Sequence, residues 1–167
     1  MDVEALLRAL QDTAAATTLR EDASLFPWVE AVHVLALSIV IGCVAIIELR
    51  LIGLAGLGRP VSRVLRDLLP YTWSAFGVAV LSGFALFASN AITYAHNAYF
   101  LSKLGLLIGV GLNAFFFHTA VERSIQRWDT AARTPLPARL SGLLSLAGWL
   151  GIVACGRWVG FTLIPIP

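Results

Sequence analysis

The chain has 167 residues, of which 58% are hydrophobic and only 13% are charged, and its mean hydropathy is +0.81. Soluble domains carry roughly 25% charged residues, so this composition excludes an ordinary soluble domain and predicts an integral membrane protein. The net charge of +2 is small and no basic stretch is interleaved with aromatic residues, which argues against a nucleic-acid-binding protein.

Residues 1–24 differ in character from the rest of the chain. The stretch MDVEALLRALQDTAAATTLRED has acidic residues where a signal peptide has basic ones, and it lacks a continuous apolar run. Its leucines and alanines recur near helical spacing. We therefore expect a short amphipathic helix that lies on the outer membrane surface.

Residues 25–167 contain four apolar stretches that reach the roughly 20 residues needed to cross a bilayer. The predicted spans are residues 26–54, 69–92, 98–121 and 140–164. The predicted fold is an all-α integral membrane four-helix bundle, preceded by the surface helix. Four prolines are expected between spans or at their ends, namely Pro60, Pro70, Pro135 and Pro137.

The basic residues predict how the bundle is oriented. The first and third connections carry most of the 12 basic residues, whereas the second connection, NAITYAHNAYF, carries none. The positive-inside rule places both Arg-rich connections in the cytoplasm. Both termini then face the periplasm of a bacterial inner membrane. The arginines are Arg50, Arg59, Arg63 and Arg66 in the first connection and Arg123, Arg127, Arg133 and Arg139 in the third.

Several ionisable residues are predicted at one depth in the outer half of the bundle. At 1.5 Å per helical residue, His33 and Arg157 each lie roughly 10 Å from the outer ends of their spans. Glu30 and Lys103 lie at about 6 and 7 Å on the same scale, and His96 sits just above them in the second connection. Such residues are costly inside a membrane and usually functional.

This outer layer suggests three alternatives. In the first, His33 is the axial ligand of a b-type heme, and Arg157 and Lys103 face the propionates. His96 is the sixth ligand if the second connection folds inward, and otherwise the iron is five-coordinate. In the second, His33, Glu30 and His96 bind copper or zinc. In the third, Glu30 forms a salt bridge with Lys103 or Arg157, and His33 is a hydrogen-bonded packing residue.

A smaller polar set lies near the inner face. Glu48 and Arg50 are interpreted as cytoplasmic interface residues, His118 as a lower-ranked candidate ligand, and Asn113 as an interhelical hydrogen-bonding group. His33 and His118 are separated by roughly 20 Å of depth, so they are not expected to share one metal or heme.

Four segments carry a resemblance: FPWVEAVHVLALSIVIG, ELRLIGL, LSKLGLLIGVGLNAFFFH and GRWVGF. They resemble an uncharacterised CopD-like family of small bacterial four-helix membrane proteins. More distantly, the architecture is similar to the HemJ type of protoporphyrinogen oxidase. That resemblance implies heme b, with His33 and Lys103 matching a histidine in an early helix and a lysine in a later one.

The sequence thus predicts a heme b-binding inner-membrane protein that acts in electron transfer or a heme-linked oxidation. If it is an enzyme, it is a membrane oxidoreductase. Its expected partners are the lipid bilayer and a periplasmic cytochrome or the quinone pool, without nucleic acid, and a homo-oligomer is left open. The alternatives are a copper-handling membrane protein and a non-catalytic subunit of a larger membrane assembly.

Overall fold

The computed structural model describes residues 2–131 and 133–163, and in these ranges the chain is helical without strands. A π-helical turn, Phe117–Val121, and a 3-10 helix, Glu122–Arg127, continue the sixth helix. The α-helices are α1 Val3–Gln11, α2 Ala14–Glu21, α3 Leu25–Ile52, α4 Val61–Ser89, α5 Ala91–Ala95, α6 Ala98–Phe116 and α7 Leu136–Thr162.

The predicted all-α architecture is confirmed. Four helical segments in the described ranges are long and apolar enough to cross a membrane: 25–52, 61–89, 98–127 and 136–162. The main difference is the second span, which starts eight residues before the predicted position 69. The extra two turns are amphipathic and bury Val61, Val64 and Leu65 against the bundle, while their charged residues face outward.

The positions of the prolines were predicted correctly with one exception. Pro60 and Pro135 are the N-cap residues of α4 and α7, and Pro137 lies in the first turn of α7. Pro70, however, lies inside α4. A proline there leaves the carbonyl four residues earlier without its helical donor, which membrane helices tolerate where neighbouring groups compensate.

The helices are arranged as two pairs. α3 packs along α4, α6 packs along α7, and the pairs meet where α3 contacts α7, whereas α4 and α6 make no extended contact. Gly148 and Gly151 of α7 lie directly against Val110 and Leu106 of α6. The close approach of α6 and α7 therefore depends on these two glycines.

The N-terminal segment forms two helices where one was predicted. The Thr13 hydroxyl accepts a hydrogen bond from Ala16 N and caps the second helix. Arg20 Nη1 donates to the carbonyl oxygens of Gln11 (3.2 Å) and Ser89 (2.9 Å), and Gln11 Oε1 accepts from Ile92 N (3.2 Å). These bonds fasten α1 and α2 to the end of α4 and to α5.

The opposite end of the bundle, called the Arg-rich end below, contains both Arg-rich connections. Arg50 is not the interface residue that was predicted, because its side chain is only 1% exposed. Its guanidinium donates to the carbonyl oxygens of Arg59 (2.9 Å), Asp129 (3.3 Å) and Ala131 (3.4 Å). The Asp129 carboxylate accepts from Ser62 N (2.7 Å) and Ser62 Oγ (2.6 Å). Arg50 thus joins the two connections.

Candidate functional site

His33 of the predicted outer layer faces the helix α4. Its ring is half-buried, and its Nδ1 lies 3.1 Å from Ser82 Oγ. Because the Ser82 hydroxyl donates its proton to the Val78 carbonyl (2.7 Å), His33 Nδ1–H is the donor to Ser82 and Nε2 carries the lone pair. A Cβ at Gly83 would come within 2.9 Å of the His33 ring, so only glycine leaves room for the ring in this position.

Lys103 lies near His33 from a different helix. Its ammonium group is close enough to the imidazole, and to Cys155, to interact with each electrostatically. The Lys103 side chain lies against the backbone at Gly156, where a Cβ would be 3.7 Å from Nζ. The fold therefore brings together the imidazole of α3 and the ammonium of α6, two groups that repel each other when both are charged.

The other three outer residues are directed elsewhere. Glu30 is exposed and lies within electrostatic range of the Tyr94 hydroxyl. His96 is exposed, with Nδ1 2.9 Å from the Ile92 carbonyl oxygen. Arg157 is exposed and lies over the Phe161 ring at 4.6 Å.

Neither the metal site nor the salt bridge proposed for the outer layer is formed in the described ranges. In the described ranges, no salt bridge joins Glu30 to Lys103 or to Arg157. No group of three or more His, Cys, Asp or Glu side chains in these ranges is placed to hold a metal ion. What remains in the outer layer is the Nε2 atom of His33, which has a lone pair available, with the charged Lys103 side chain near it.

Three residues of the predicted inner set, Glu48, Asn113 and His118, line a cavity of about 190 Å³ between the four long helices. Most of its wall is apolar, and its polar groups come from α3, α4, α6 and α7. None of the five outer residues lines it. The polar lining residues are Glu48, Thr72, Asn113, His118, Ser141 and Ser145, and the tryptophans are Trp73 and Trp149.

Glu48 is the most unusual residue of this cavity. It is only 9% exposed, and its Oε2 has no hydrogen-bond partner. The Ser145 hydroxyl is close enough to interact with the carboxyl group. A Cβ at Gly142 would lie 3.0 Å from Glu48 Oε2, so glycine at this position makes room for the carboxyl group. The interpretation of Glu48 as an interface residue is wrong, because α7 covers it.

Asn113 and His118 complete the polar part of the wall. Asn113 Nδ2 donates to the Ser141 carbonyl oxygen at 2.9 Å, which confirms the predicted interhelical hydrogen bond. His118 Nδ1 pairs with Glu122 Oε2, and both side chains are about one-third exposed. His118 lies in the π-helical turn, a feature frequent at functional sites. If Nδ1 carries the proton in this pair, Nε2 is free for a ligand.

The chemistry available in the cavity follows from these groups. An unpartnered buried carboxyl either donates its proton to a ligand or accepts a hydrogen bond from one, because leaving it unpaired is costly. The His118–Glu122 pair lies at the Arg-rich end and is partly exposed, so it can exchange protons with the surroundings. The arrangement suits a small, mostly apolar molecule with one or two hydrogen-bonding groups.

The residues that the sequence analysis missed are small ones. Ser82 and Gly83 position His33, while Ser141, Gly142 and Ser145 form the α7 wall beside Glu48. The sequence did contain a signal for the second group, because Ser141, Ser145 and Gly148 recur every three to four residues along one helix face. No comparable spacing of small residues in the sequence identifies Ser82.

No curated protein and no solved structure matches the chain. The resemblance to CopD-like and HemJ-type proteins therefore stays a prediction. A family match covers residues 24–162, a range that contains α3 to α7 and every residue of both polar layers. The chain belongs to this family, which is described as a family of unknown function (DUF6644).

Proposed function

We propose that this protein binds a small, largely apolar carbonyl compound of the quinone type in the Glu48 cavity, as part of electron transfer in a bacterial inner membrane. The observation that carries the proposal is Glu48 Oε2, a buried carboxyl oxygen without a partner at the wall of an apolar cavity. Buried polar groups are normally satisfied, so an unsatisfied one beside a cavity favours a missing ligand.

The size and chemistry of the cavity support this ligand class. Its volume of about 190 Å³ is below the roughly 300–1,000 Å³ of pockets for drug-sized ligands, so it suits a single ring. Quinone carbonyl oxygens accept hydrogen bonds, and the wall offers donors in the Ser145 hydroxyl, the Asn113 amide and a protonated Glu48.

The predicted orientation adds a route for protons. With both Arg-rich connections in the cytoplasm, the cavity lies in the cytoplasmic half of the membrane. The partly exposed pair of His118 and Glu122 then lies between the cavity and the cytoplasm. Histidine is suited to carrying protons at neutral pH, and a quinone that an external electron donor, such as a cytochrome, reduces to a quinol takes up two protons with two electrons.

The test measures binding and stability in the same variant. Glu48→Met removes the carboxyl group at similar length, and we expect it to weaken binding of a tail-free quinone roughly 10- to 100-fold, since one buried hydrogen bond is lost. Binding is followed as saturable quenching of tryptophan fluorescence in detergent micelles. The unfolding temperature should not fall, because an unpartnered buried carboxyl is replaced by an apolar side chain.

Glu30→Met is the matched control, because Glu30 lies on the same helix and outside the cavity. It should leave the quinone affinity unchanged. Ser145→Ala, which removes the hydroxyl beside the carboxyl group, should weaken binding by a smaller factor than Glu48→Met. Equal affinities for the wild type and Glu48→Met, or the absence of saturable quenching, would exclude the proposal.

A heme b at His33 is a second candidate, favoured by one specific observation. The His33 Nδ1–H bond to Ser82 leaves Nε2 free, which is the arrangement typical of metal-ligating histidines. Lys103 is near enough to pair with a propionate, but Arg157 and His96 face other groups. When bound, heme would supply one-electron chemistry, while His33 and Lys103 would hold and orient it.

The absorption spectrum separates the two candidates. Protein purified from cells supplied with heme precursor should show a Soret band if His33 holds heme. His33→Ala should then abolish the band, while His96→Ala leaves it intact. Colourless protein under these conditions contradicts the second candidate and leaves the quinone proposal untouched.

A further inference from the structure

The Glu48 cavity is closed on the side formed by α3 and α7 and accessible on the side formed by α4 and α6. The lining residues of α7, Ser141, Ser145 and Trp149, are all buried, and Val40 and Leu51 of α3 are almost inaccessible. On α4 and α6, by contrast, most lining residues are partly or fully exposed, and Trp73 is 60% exposed. The accessible side of the cavity is therefore the side formed by α4 and α6.

Side chains of α4 and α6 approach each other near both ends of the pair. At the end near α5, the rings of Phe87 and Phe100 stack with centroids 5.4 Å apart. At the Arg-rich end, Leu65 of α4 belongs to the same buried cluster as Phe117, which directly follows α6. Between these ends, side chains of both helices pack against a second buried cluster around α3 and α7, but the backbones of α4 and α6 make no extended contact, so a gap remains between the two backbones.

Gly111 lies on the α6 side of this gap. It is exposed, it lines the cavity, and apart from its chain neighbours and its own helix backbone no described atom lies within 4 Å of the position that a Cβ would occupy. Phe76 and Trp73 line the α4 side, with ring centroids 6.0 Å apart. The gap is thus bordered by apolar surface, and its helices are long and apolar enough to be surrounded by lipid.

We infer that the cavity opens sideways into the bilayer between α4 and α6, and that its ligand is a membrane-dissolved molecule with a polar ring and a long apolar tail. This inference rests on the proposed function and names the route and the ligand class of the same site. The cavity holds only the ring, because its volume is about 190 Å³. The tail passes Gly111 and Trp73 and stays among the lipid chains, so binding of the ring costs no free energy for transfer of the tail into water.

The route is tested without any assumption about the ligand. Ser145→Cys places a thiol in the buried wall, in a background in which Cys43 and Cys155 are alanine. In liposomes, an alkyl-chain maleimide dissolved in the bilayer should label this thiol, while a charged, membrane-impermeant maleimide should not. Gly111→Phe fills the gap and should abolish the labelling.

Gly109→Phe is the matched control. Gly109 lies two residues away on the same helix, faces open space, and does not line the cavity. It should leave the labelling rate unchanged. Unchanged labelling in Gly111→Phe, or labelling by the charged reagent alone, would overturn the lateral route.

A second experiment tests the ligand class. Two quinones with the same ring, one with a decyl tail and one without, are titrated into the wild type, Gly111→Phe and Gly109→Phe. Gly111→Phe should weaken the tailed quinone selectively. If both quinones bind the three proteins equally, the inference fails and the proposed function stands. If the wild type binds neither, the proposed function fails, and the labelling result still decides whether the route exists.

Discussion

The two polar layers of this protein were predicted by the same depth calculation, yet the fold treats them differently. In the outer layer His33 and Lys103 come near each other across two helices, while Glu30, His96 and Arg157 are exposed. In the inner layer Glu48, Asn113 and His118, which were ranked lower, line one cavity with seven further polar or aromatic residues. Depth along a helix selects candidates, but the direction of each side chain around the helix decides which of them meet.

A single helix illustrates the difference. His33 and Glu48 are both on α3 and fifteen residues apart, roughly four helical turns, so they lie on similar faces. His33 meets Gly83 of α4, and the ring fills the space that the glycine leaves. Glu48 meets Gly142 of α7, and beside it the four helices leave a cavity. The neighbouring helix, and not the residue itself, makes one group a packing partner and the other a candidate binding group.

The largest effect is expected at Arg50, which joins the two connections above the inner layer. Arg50→Ala removes three hydrogen bonds that a buried cation donates to carbonyl oxygens of two connections. We expect a loss of roughly 2–4 kcal/mol in the free energy of unfolding and a fall of roughly 5–15 °C in the unfolding temperature. Thermal unfolding in detergent micelles, followed by tryptophan fluorescence, measures it.

Arg63→Ala is the control for this prediction, because Arg63 is an exposed arginine near the start of α4, at the same end of the bundle. It should change the unfolding temperature little. An Arg50→Ala protein as stable as Arg63→Ala would mean that the two connections do not depend on the guanidinium.

The two glycines that face the titratable groups of α3 give a matched pair of smaller effects. In Gly83→Ala the new Cβ would meet His33 at 2.9 Å, and in Gly142→Ala it would meet Glu48 at 3.0 Å. Overpacking costs typically about 1–3 kcal/mol, so each variant should unfold at a lower temperature than wild type. Gly77→Ala, with open space around its Cβ position, should not.

The same pair distinguishes the two layers by their binding behaviour. Gly142→Ala should weaken quinone binding, because it displaces the Glu48 carboxyl group, and Gly83→Ala should leave that affinity unchanged. If Gly83→Ala weakened quinone binding as much as Gly142→Ala, the outer layer would belong to the binding site and the contrast between the layers would be lost.

The sequence alone was sufficient to predict the features that depend on residues close together in the chain. Apolar length predicted the four spans, and Pro60, Pro135 and Pro137 stand at helix starts because proline lacks the donor that an inner turn needs. Pro70 was predicted at the start of the second span, but α4 begins at Val61, so this proline lies inside the helix. In fact α4 continues beyond the apolar stretch as an amphipathic helix.

The site could be predicted only in part, because its geometry depends on helix pairing. Glu48, Asn113 and His118 were named as one polar set near the inner face, with Glu48 interpreted as an interface residue, but their convergence on one cavity requires the order in which α3, α4, α6 and α7 pack. The burial of Arg50 depends on hydrogen bonds to carbonyl oxygens of the connections, and no sequence pattern predicts these bonds. Ser82 is one of several serines in apolar helices, and only the neighbouring imidazole distinguishes it.

The smallest expected effect concerns Asp129, which lies outside the membrane-spanning helices and fixes the connection above the inner layer. Partial burial disfavours its charged form, but the hydrogen bonds from the Ser62 hydroxyl and amide, together with Arg50, outweigh this and hold the pKa of Asp129 below its ordinary value. A lowered folded-state pKa contributes stability above the unfolded pKa of about 3.9. That contribution is lost as the pH falls through the folded pKa.

Ser62→Ala removes the hydroxyl donor, so it should lower the unfolding temperature relative to wild type at pH 6. The difference, well under about 1 kcal/mol for a solvent-screened group, should shrink as the pH falls below about 3.9. Ser74→Ala also loses a hydroxyl that donates to a carbonyl oxygen, but no carboxylate is involved, so its difference from wild type should not depend on pH. If the Ser62→Ala difference also stayed constant with pH, the hydroxyl would act without the Asp129 carboxylate, and Arg50 would be the main link between the two connections.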